Sequence, residues 1–414
     1  FRTGYYTQNE VSKRYFSLYA NAAYTYNHRY TLNASVRMDQ SNLFGSDPST
    51  QYKPIWSVGA GWNISEENFM SDVKVIDNLN LRASFGLAGN SPEPGQGGKY
   101  DILTATSNFN FETPGFYITT PANDKITWEK TRTLNAGIDL RIFDNRLDLS
   151  VDWYDKKTTD LLGTMMLNPT TGWISTIGNL GTMTNKGVEL SVNSHNIRGK
   201  AFNWYTNFTL SHNKNKITEL VVATPYTGES LVSSGRYVEG YAAGSLFAYR
   251  WGGLDGEGKP QTLDKNGTVI SATDSYSLTT DDVRYMGSTV PKFYGGLTNR
   301  LTYKVWELSF MFVYNLGHKM RNDVAMQAYG RPTANMHKDI DKRWRKPGDE
   351  AFTDVPAYTV IADRNSNYQL YYCSDKNVLN ASYIKLRDLS LAWNLPSRIC
   401  RKVSADRIRI NLQV

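Results

Sequence analysis

Two short acidic sequences are the first places in this chain where metal chemistry would be expected. Asp255-Gly-Glu-Gly and Asp264-Lys-Asn-Gly each resemble part of a calcium loop, which binds its ion through closely spaced oxygen ligands. In the first, the possible oxygen ligands do not recur at regular positions. The second lacks the glutamate that ends a calcium loop. Tight hairpin turns, which favour Asp, Asn and Gly, are the simpler interpretation of both. The sequence leaves open whether either turn binds a cation.

Histidine and carboxylate spacing gives no sign of an enzyme. The five histidines show no metal-binding pattern such as H-x-x-x-H, and His28 and His195 lie beside predicted turns. Acidic residues are plentiful, but no signature brings two of them together as general acid and base. We therefore expect no catalytic site, no metal site and no cofactor.

The elements that position the polar residues are strands, because apolar and polar side chains alternate along nearly the whole chain. One clear run has an apolar face made of Leu134, Ala136, Ile138, Leu140 and Ile142. Its other face consists of Asn135, Gly137, Asp139 and Arg141. A period of two predicts strands with one face in apolar surroundings. The runs are about ten residues long, the length at which a tilted strand crosses a bilayer.

One run changes phase along its length. Ile384 and Leu386 occupy even positions, whereas Leu389, Leu391 and Trp393 occupy odd ones. An extra residue in a bulge near Arg387–Asp388 would keep all of them on one face.

The amino-acid composition limits the surroundings in which these strands can lie. A hydrophobic content of 40% with a mean hydropathy of −0.49 is too polar for a helical membrane protein. A soluble all-β sandwich would show the same alternation. The 27 tyrosines and 10 tryptophans favour a membrane interface, where amphipathic rings accumulate. We therefore predict an all-β fold, a transmembrane antiparallel β-barrel.

The net charge of +7 first suggests a nucleic acid or an acidic ligand as partner. Lysine and arginine are dispersed along the chain, however, and no RNA-recognition or helix-turn-helix pattern is present. We expect no nucleic-acid partner.

The lengths of the connections predict which end of each strand lies on which side of the membrane. Tight turns are expected at residues 27–29, 144–146 and 304–305, whereas Gly89–Lys130 and Asn215–Pro291 are long and rich in polar residues. Outer-membrane barrels have short periplasmic turns and long extracellular loops. The strand-like segment Ser245–Leu254 then belongs to an extracellular hairpin or to a further pair of crossings, and the hairpin is the favoured interpretation.

Several motifs occur in an order that resembles the barrel of SusC/RagA-type TonB-dependent transporters, from Arg14 to Val414. They include Arg37-Met-Asp-Gln, Asn63-Ile-Ser-Glu-Glu-Asn-Phe, Asn179-Leu-Gly-Thr-Met-Thr-Asn-Lys-Gly and Arg343-Trp-Arg-Lys-Pro-Gly-Asp. The resemblance implies part of a roughly 22-stranded barrel with an N-terminal plug. It also implies TonB as the energy source, acting through a region outside this chain, and a SusD-like surface lipoprotein as a lid.

By this resemblance, residues 1–414 are expected to be a partial barrel that lacks the plug and the closing strand. The implied function is active import of glycan fragments, or next of oligopeptides, across the outer membrane. The alternatives are a passive porin and a non-transporting adhesion or structural β-protein. The basic cluster Lys338–Lys346 with Trp344, which could otherwise contact phosphates, is a loop-packing motif under the same resemblance.

Aromatic residues in the predicted extracellular loops are candidates for ligand binding, since aromatic rings stack on sugar faces and on peptide groups. The candidates are Trp173, Tyr226, Phe116 and Tyr117. Loop packing is the alternative for each of them.

The two cysteines are predicted to lie on opposite sides of the membrane. Cys373 falls in a long connection and Cys400 in a turn after Pro396. A disulfide needs Cα atoms within about 7 Å, so both are expected to be unpaired.

Overall fold

The computed structural model of the protein describes residues 14–41, 54–90, 100–107, 114–123, 125–173, 175–221, 226–233, 237–322, 338–358 and 369–414. The chain forms two compact units. The first comprises Phe1–His195 and Ile217–Thr224, and the second comprises Asn196–Lys216 and Pro225–Val414.

Eleven strands begin in the first unit. They are β1 (Tyr15–Tyr26), β2 (Tyr30–Ser41), β3 (Pro54–Asn63), β4 (Ile76–Asn90), β5 (Ile102–Ser107), β6 (Pro114–Thr120), β7 (Glu129–Ile142), β8 (Leu147–Thr159), β9 (Leu162–Met166), β10 (Ser175–Asn179) and β11 (Gly181–Arg198). Three short 3-10 helices cover Ile64–Glu66, Asn68–Met70 and Pro169–Thr171. Seven strands pair antiparallel in the order β1-β2-β3-β4-β7-β8-β11.

The long predicted loops of the first unit contain strands that the sequence did not indicate. Strand β5 pairs with β6 within the connection that follows Asn90, and β9 pairs with β10 within the connection that follows Thr159. β4 and β7, with 15 and 14 residues, are longer than the ten or so that cross a bilayer. Pairing between neighbours continues beyond the apolar stretch because the ladder satisfies backbone groups in water as well as in lipid.

The remaining strands begin in the second unit. They are β12 (Phe202–Leu220), β13 (Ser245–Leu254), β14 (Pro260–Leu263), β15 (Val269–Ile270), β16 (Val283–Ser288), β17 (Phe293–Tyr303), β18 (Trp306–Leu316), β19 (Lys319–Arg321), β20 (Val378–Asn380), β21 (Tyr383–Asn394) and β22 (Arg409–Gln413). The helices are α1 (Gly228–Ser233) and α2 (Ser397–Lys402), with 3-10 turns at Ser275–Ser277, Lys338–Lys342, Asp349–Ala351 and Asp375–Asn377. No described helix is long and apolar enough to cross a membrane.

The second unit contains two larger sheets. Strands β12-β17-β18-β21-β22 are antiparallel neighbours. A separate four-stranded sheet has the order β15-β14-β13-β16. Because β13 pairs with β14 and β16 outside the long-strand sheet, the prediction of a hairpin at Ser245–Leu254 is confirmed.

The predicted tight turns are confirmed. Asn27 and His28 have positive φ angles of 48° and 59°, the left-handed region that tight hairpin turns use. Asp144 and Asn145 adopt the same region between β7 and β8, and Lys304 does so between β17 and β18. These turns mark the predicted periplasmic end of the strands.

One face of the long strands exposes apolar side chains, as the alternation predicts. Leu134 and Ile138 are 40% and 45% exposed, although both are aliphatic. Ile138 also lines an apolar groove of about 860 Å³ together with Trp62 and Trp153. In a membrane this face meets lipid, since exposed apolar surface of this extent is unusual on a soluble protein.

Aromatic residues collect near the predicted periplasmic end. Tyr30, at the start of β2, stacks on Trp62 with ring centroids 6.5 Å apart. In the second unit, Trp306 at the start of β18 stacks on Trp393 near the end of β21 at 5.4 Å. Such rings at strand ends are typical of an interfacial aromatic belt.

The bulge predicted near Arg387–Asp388 is confirmed. Met311 lies opposite Asp388, whereas the next residue, Phe312, lies opposite Leu386, so Arg387 is the extra residue in β21. It keeps Leu386 and Leu389 on the apolar face despite the change of phase in the sequence.

Both acidic sequences form turns of the four-stranded sheet, as predicted. The Asp255 carboxylate accepts hydrogen bonds from the backbone N–H groups of Glu257 and Lys259, at 2.9 and 2.8 Å. Asp264 accepts bonds from Asn266 and Thr268 in the same way, and these backbone bonds, led by that of Thr268, lower the pKa of Asp264. The two carboxylates therefore stabilise the turns by accepting backbone hydrogen bonds.

The two cysteines are unpaired, as predicted, and both are buried. Cys373 lies in the apolar core beneath the four-stranded sheet, together with Leu231, Phe247, Tyr249 and Leu370. Cys400 lies in α2, which follows the predicted periplasmic end of β21.

Candidate functional site

A row of charged residues crosses the polar face of three strands in the first unit. Arg82 on β4 lies opposite Gly137 on β7, and Gly137 lies opposite Asp152 on β8. The Arg82 guanidinium extends over Gly137, with Nη2 2.5 Å from the nearer Asp152 oxygen.

Asp139 completes this row. Its carboxylate accepts a bond from Arg82 Nε at 2.9 Å and another from the Ser150 hydroxyl at 2.7 Å. The side chains of Arg82, Asp139 and Asp152 are 37%, 35% and 20% exposed. Water therefore reaches the row, and paired charges of this kind suit the wall of a hydrated passage better than a lipid face.

Gly137 leaves room for the Arg82 side chain where it crosses β7. A Cβ atom at this position would lie 2.7 Å from Arg82 Cζ and 2.8 Å from Asp152 Oδ1. A larger residue would therefore push the two charged groups away from each other.

At the predicted periplasmic end, Glu67 joins several side chains. Its carboxylate accepts hydrogen bonds from the Tyr30 hydroxyl and from Trp62 Nε1, and it pairs with Arg29 at 3.2 Å. The hydrogen bond from Tyr30, then that from Trp62, holds the pKa of Glu67 below its ordinary value. This residue belongs to the motif Asn63–Phe69, whose role the sequence did not reveal.

The structure places three predicted ligand-binding residues in the first unit. Phe116 and Tyr117 are 73% and 52% exposed on β6. As neighbours in a strand they point to opposite faces. Trp173 follows the 3-10 turn Pro169–Thr171, where its backbone N–H contacts the Thr171 hydroxyl at 3.4 Å, and it is half-buried.

Tyr226, the fourth predicted residue, lies in the second unit. It is partly buried and packs against the apolar core that contains Leu231, Phe247 and Leu370. Its ring therefore has a packing role. The ligand-binding role of all four residues stays a prediction.

A polar pocket of about 560 Å³ in the second unit was not predicted as a site. Residues from three separate segments line it, and they include Asn322, Asp339, Arg343, Phe352, Asp354 and Lys376. Phe352 is 91% exposed, which is unusual for a phenylalanine and leaves a whole ring face available. We call this cavity the outer polar pocket.

The charges of the outer polar pocket are held in place by their neighbours. Asp354 accepts a bond from Trp251 Nε1 at 3.0 Å and pairs with Lys376. Burial acts to raise the pKa of Asp354, but the bonds from Lys376 and Trp251 outweigh it, and the pKa lies below its ordinary value. The carboxylate is therefore a fixed, ionised hydrogen-bond acceptor at neutral pH.

The motif Arg343–Asp349 builds one wall of this pocket and packs against a turn. Trp344 lies over Gly258, where an added Cβ would come within 2.5 Å of the indole, and Trp344 Nε1 donates to Glu350 at 2.8 Å. The predicted loop-packing role of Trp344 is confirmed. The sequence did not show that the same motif lines a cavity.

Across the residues that the structure describes, no group of three or more His, Cys, Asp or Glu side chains is arranged to hold a metal ion.

Comparison with protein families decides the identity of the fold. Residues 2–412 match the family described as TonB dependent receptor-like, beta-barrel. The chain belongs to this family. It is therefore part of an outer-membrane β-barrel, from a family of transporters and not of enzymes.

Among curated proteins, the TonB-dependent receptor P3 of Formosa agariphila is 30% identical over 95% of this chain and 40% of its own length. The TonB-dependent receptor SusC of Bacteroides thetaiotaomicron is 27% identical over 95% of this chain and 38% of its own. The chain thus spans about two fifths of these relatives.

Among solved structures, the RagAB peptide transporter matches with a TM-score of 0.76 and 24% identity, over 97% of this chain and 43% of that one. At this identity the match establishes the fold. The predicted SusC/RagA-type barrel is confirmed by these three comparisons together.

Proposed function

We propose that the whole protein imports oligomeric nutrients across the outer membrane in a TonB-dependent manner. The observation that carries this proposal is the charged row of Arg82, Asp139 and Asp152 on the face opposite the lipid-facing residues. A barrel wall that is apolar outside and charged inside encloses a hydrated path for polar solutes.

Glycan fragments are the first substrate class and oligopeptides the second. The outer polar pocket combines an open aromatic ring at Phe352 with fixed acceptors and donors such as Asp354 and Lys376. A ring of this kind stacks on a sugar face, and ordered charged groups hydrogen-bond sugar hydroxyls. The same groups would also bind a peptide, and the shared fold with a solved peptide transporter keeps oligopeptides as the second class.

Two partners belong to the proposal. A SusD-like surface lipoprotein would cover the extracellular end, and TonB would act through a region outside residues 1–414. The similarity to SusC and to the RagAB transporter supports both.

Uptake by cells that express the full-length protein tests this function. Labelled oligosaccharides and oligopeptides of matched size would be supplied to cells with and without a functional TonB. We expect saturable uptake of one class that is lost without TonB or after a protonophore. Uptake that is unsaturable and independent of TonB would indicate a passive porin, and surface binding without uptake would indicate an adhesion protein.

A further inference from the structure

A basic pocket of about 470 Å³ lies at the extracellular end of β12 and β17 in the second unit. Lys214, Lys216, Lys292 and His212 line it. Among its described lining residues there is no Asp or Glu. An anion in this pocket would therefore lie among several positively charged side chains.

The height of the pocket follows from strand length. β12 begins at Phe202 beside a periplasmic turn, and it pairs with β17 from Phe202–Tyr303 up to His212–Phe293. A tilted strand crosses the hydrocarbon in about 9–11 residues. His212 is the eleventh residue of β12, so Lys214 and Lys216 lie just above the apolar band.

The pleat of β12 directs Lys214 and Lys216 outward. The His212 ring stacks on Phe293 with centroids 4.5 Å apart, and Phe208 stacks on Tyr314 on the same face. Residues two apart in a strand share a face, so both lysines continue this outward row. A bond between His212 Nδ1 and the Lys292 carbonyl oxygen, at 3.0 Å, ties the two strand ends together.

The rest of the pocket suits the headgroup level of a membrane. Tyr241 and Tyr285 line it with ring centroids 4.8 Å apart and are 37% and 42% exposed. Tyrosine is enriched at this level because its ring is apolar and its hydroxyl is polar. The Lys292 stem lies over Gly317, whose added Cβ would meet Lys292 Cβ at 3.3 Å, and Lys292 is exposed.

We propose that this pocket binds the phosphorylated headgroup of a lipid in the outer leaflet. The positive charge of the pocket is complementary to phosphate, and the pocket lies at the level of the headgroups. The outward-facing lysines of β12 lie directly above the lipid-facing residues of the same strand. The site is separate from the proposed substrate path and does not depend on which nutrient the protein imports.

Native mass spectrometry of the detergent-solubilised full-length transporter tests the site, with diphosphoryl lipid A as the probe. The test variant combines Lys214→Gln, Lys216→Gln and Lys292→Gln, and a second variant carries Arg at the same three positions. The control is Lys265→Gln, an exposed lysine 3.3 Å from Asp281 in a turn of the four-stranded sheet. Folding of each variant is checked by the mobility shift on heating, and Lys214→Gln alone serves if the triple variant does not assemble.

Each lysine near an anionic lipid surface contributes roughly fivefold to affinity, so the triple glutamine variant should bind lipid A about a hundredfold more weakly. The single variant should lose roughly fivefold. The arginine variant and Lys265→Gln should bind like the wild type. The proposal is overturned if the glutamine variants retain their affinity or if Lys265→Gln weakens binding equally. It is also overturned if inorganic phosphate binds as tightly as lipid A, which would indicate a site for a soluble anion.

Discussion

Arg82 and Asp152 are 70 residues apart in the sequence, yet Arg82 Nη2 lies 2.5 Å from Asp152 Oδ2 across the intervening strand β7. In the register of the three strands, Gly137 on β7 lies between these two residues. The contact therefore links β4 to β8 and depends on a missing side chain in the strand between them.

Gly137→Ala should weaken this link. The new Cβ would overlap the guanidinium, and we expect the barrel of the full-length protein to lose about 1 kcal/mol of stability. The measurement is the temperature at which the folded band disappears on a semi-native gel. Gly61→Ala is the matched control, because its nearest neighbour would be 3.7 Å away. Equal transition temperatures for the two variants would show that Gly137 is not needed for close approach.

Ile138→Arg should impair assembly of the barrel. Ile138 is on the exposed apolar face, and a lipid-facing arginine at mid-depth costs on the order of 2–4 kcal/mol. Asp139→Asn, one residue further on the polar face, should cost at most about 1 kcal/mol because its pair with Arg82 is partly hydrated. The amount of heat-modifiable protein in the outer membrane measures both. If Asp139→Asn reduced the amount of folded barrel more than Ile138→Arg, the assignment of the lipid-facing and lumen-facing sides would be reversed.

Glu67 should make stability depend on acidic pH. Hydrogen bonds from Tyr30 and Trp62 lower its pKa below the ordinary value of 4.5. The stabilisation is therefore complete above pH 4.5 and is lost as pH falls through the lower folded-state pKa. Thermal unfolding between pH 7 and pH 3 should show a smaller decrease for Glu67→Gln than for the wild type. Identical pH profiles for Glu67→Gln and the wild type would contradict this role.

Phe352→Ala should weaken ligand binding without affecting the fold. The ring is 91% exposed, so its removal leaves the packing intact but deletes the stacking surface of the outer polar pocket. Loss of one such stacking contact should reduce the affinity of the transported oligomer about fivefold or more, measured by calorimetry on the full-length protein. Tyr276→Ala, at a 75% exposed position outside this pocket, is the control. Unchanged affinity for Phe352→Ala would remove the pocket from the proposed substrate path.

Trp173→Ala tests the strongest of the ligand residues proposed from sequence. If Trp173 stacks on the ligand, the affinity of the full-length protein should fall while its gel mobility stays that of a folded barrel. Tyr226→Ala provides the contrast, because its ring packs on the apolar core and its loss should mainly lower stability. Wild-type affinity for Trp173→Ala would leave that residue with a packing role alone.

Much of the barrel wall could be predicted because its determinants are local. The alternation around Ile138 gives the strand and its face, positive-φ residues such as Asn27 and Asn145 fall where tight turns were expected, and the change of phase after Leu386 locates the bulge at Arg387. Each signal comes from a few consecutive residues, and the bilayer imposes a common strand length and one apolar face on all of them.

The contacts in the outer segments could not be read in this way. Phe352 and Lys376 line one pocket with Asn322, and the hydrogen-bonding of Asp354 to Trp251 spans 103 residues. Neither an alternation of apolar residues nor a turn motif in the sequence connects positions that are so far apart. Sequence alone therefore determined the long strands of the barrel wall, their faces and the family of this protein. Only the tertiary structure decided which loop residues contact one another. The long connections lie outside the membrane, so no common strand length or apolar face is imposed on them, and they pack through contacts between residues far apart in the sequence.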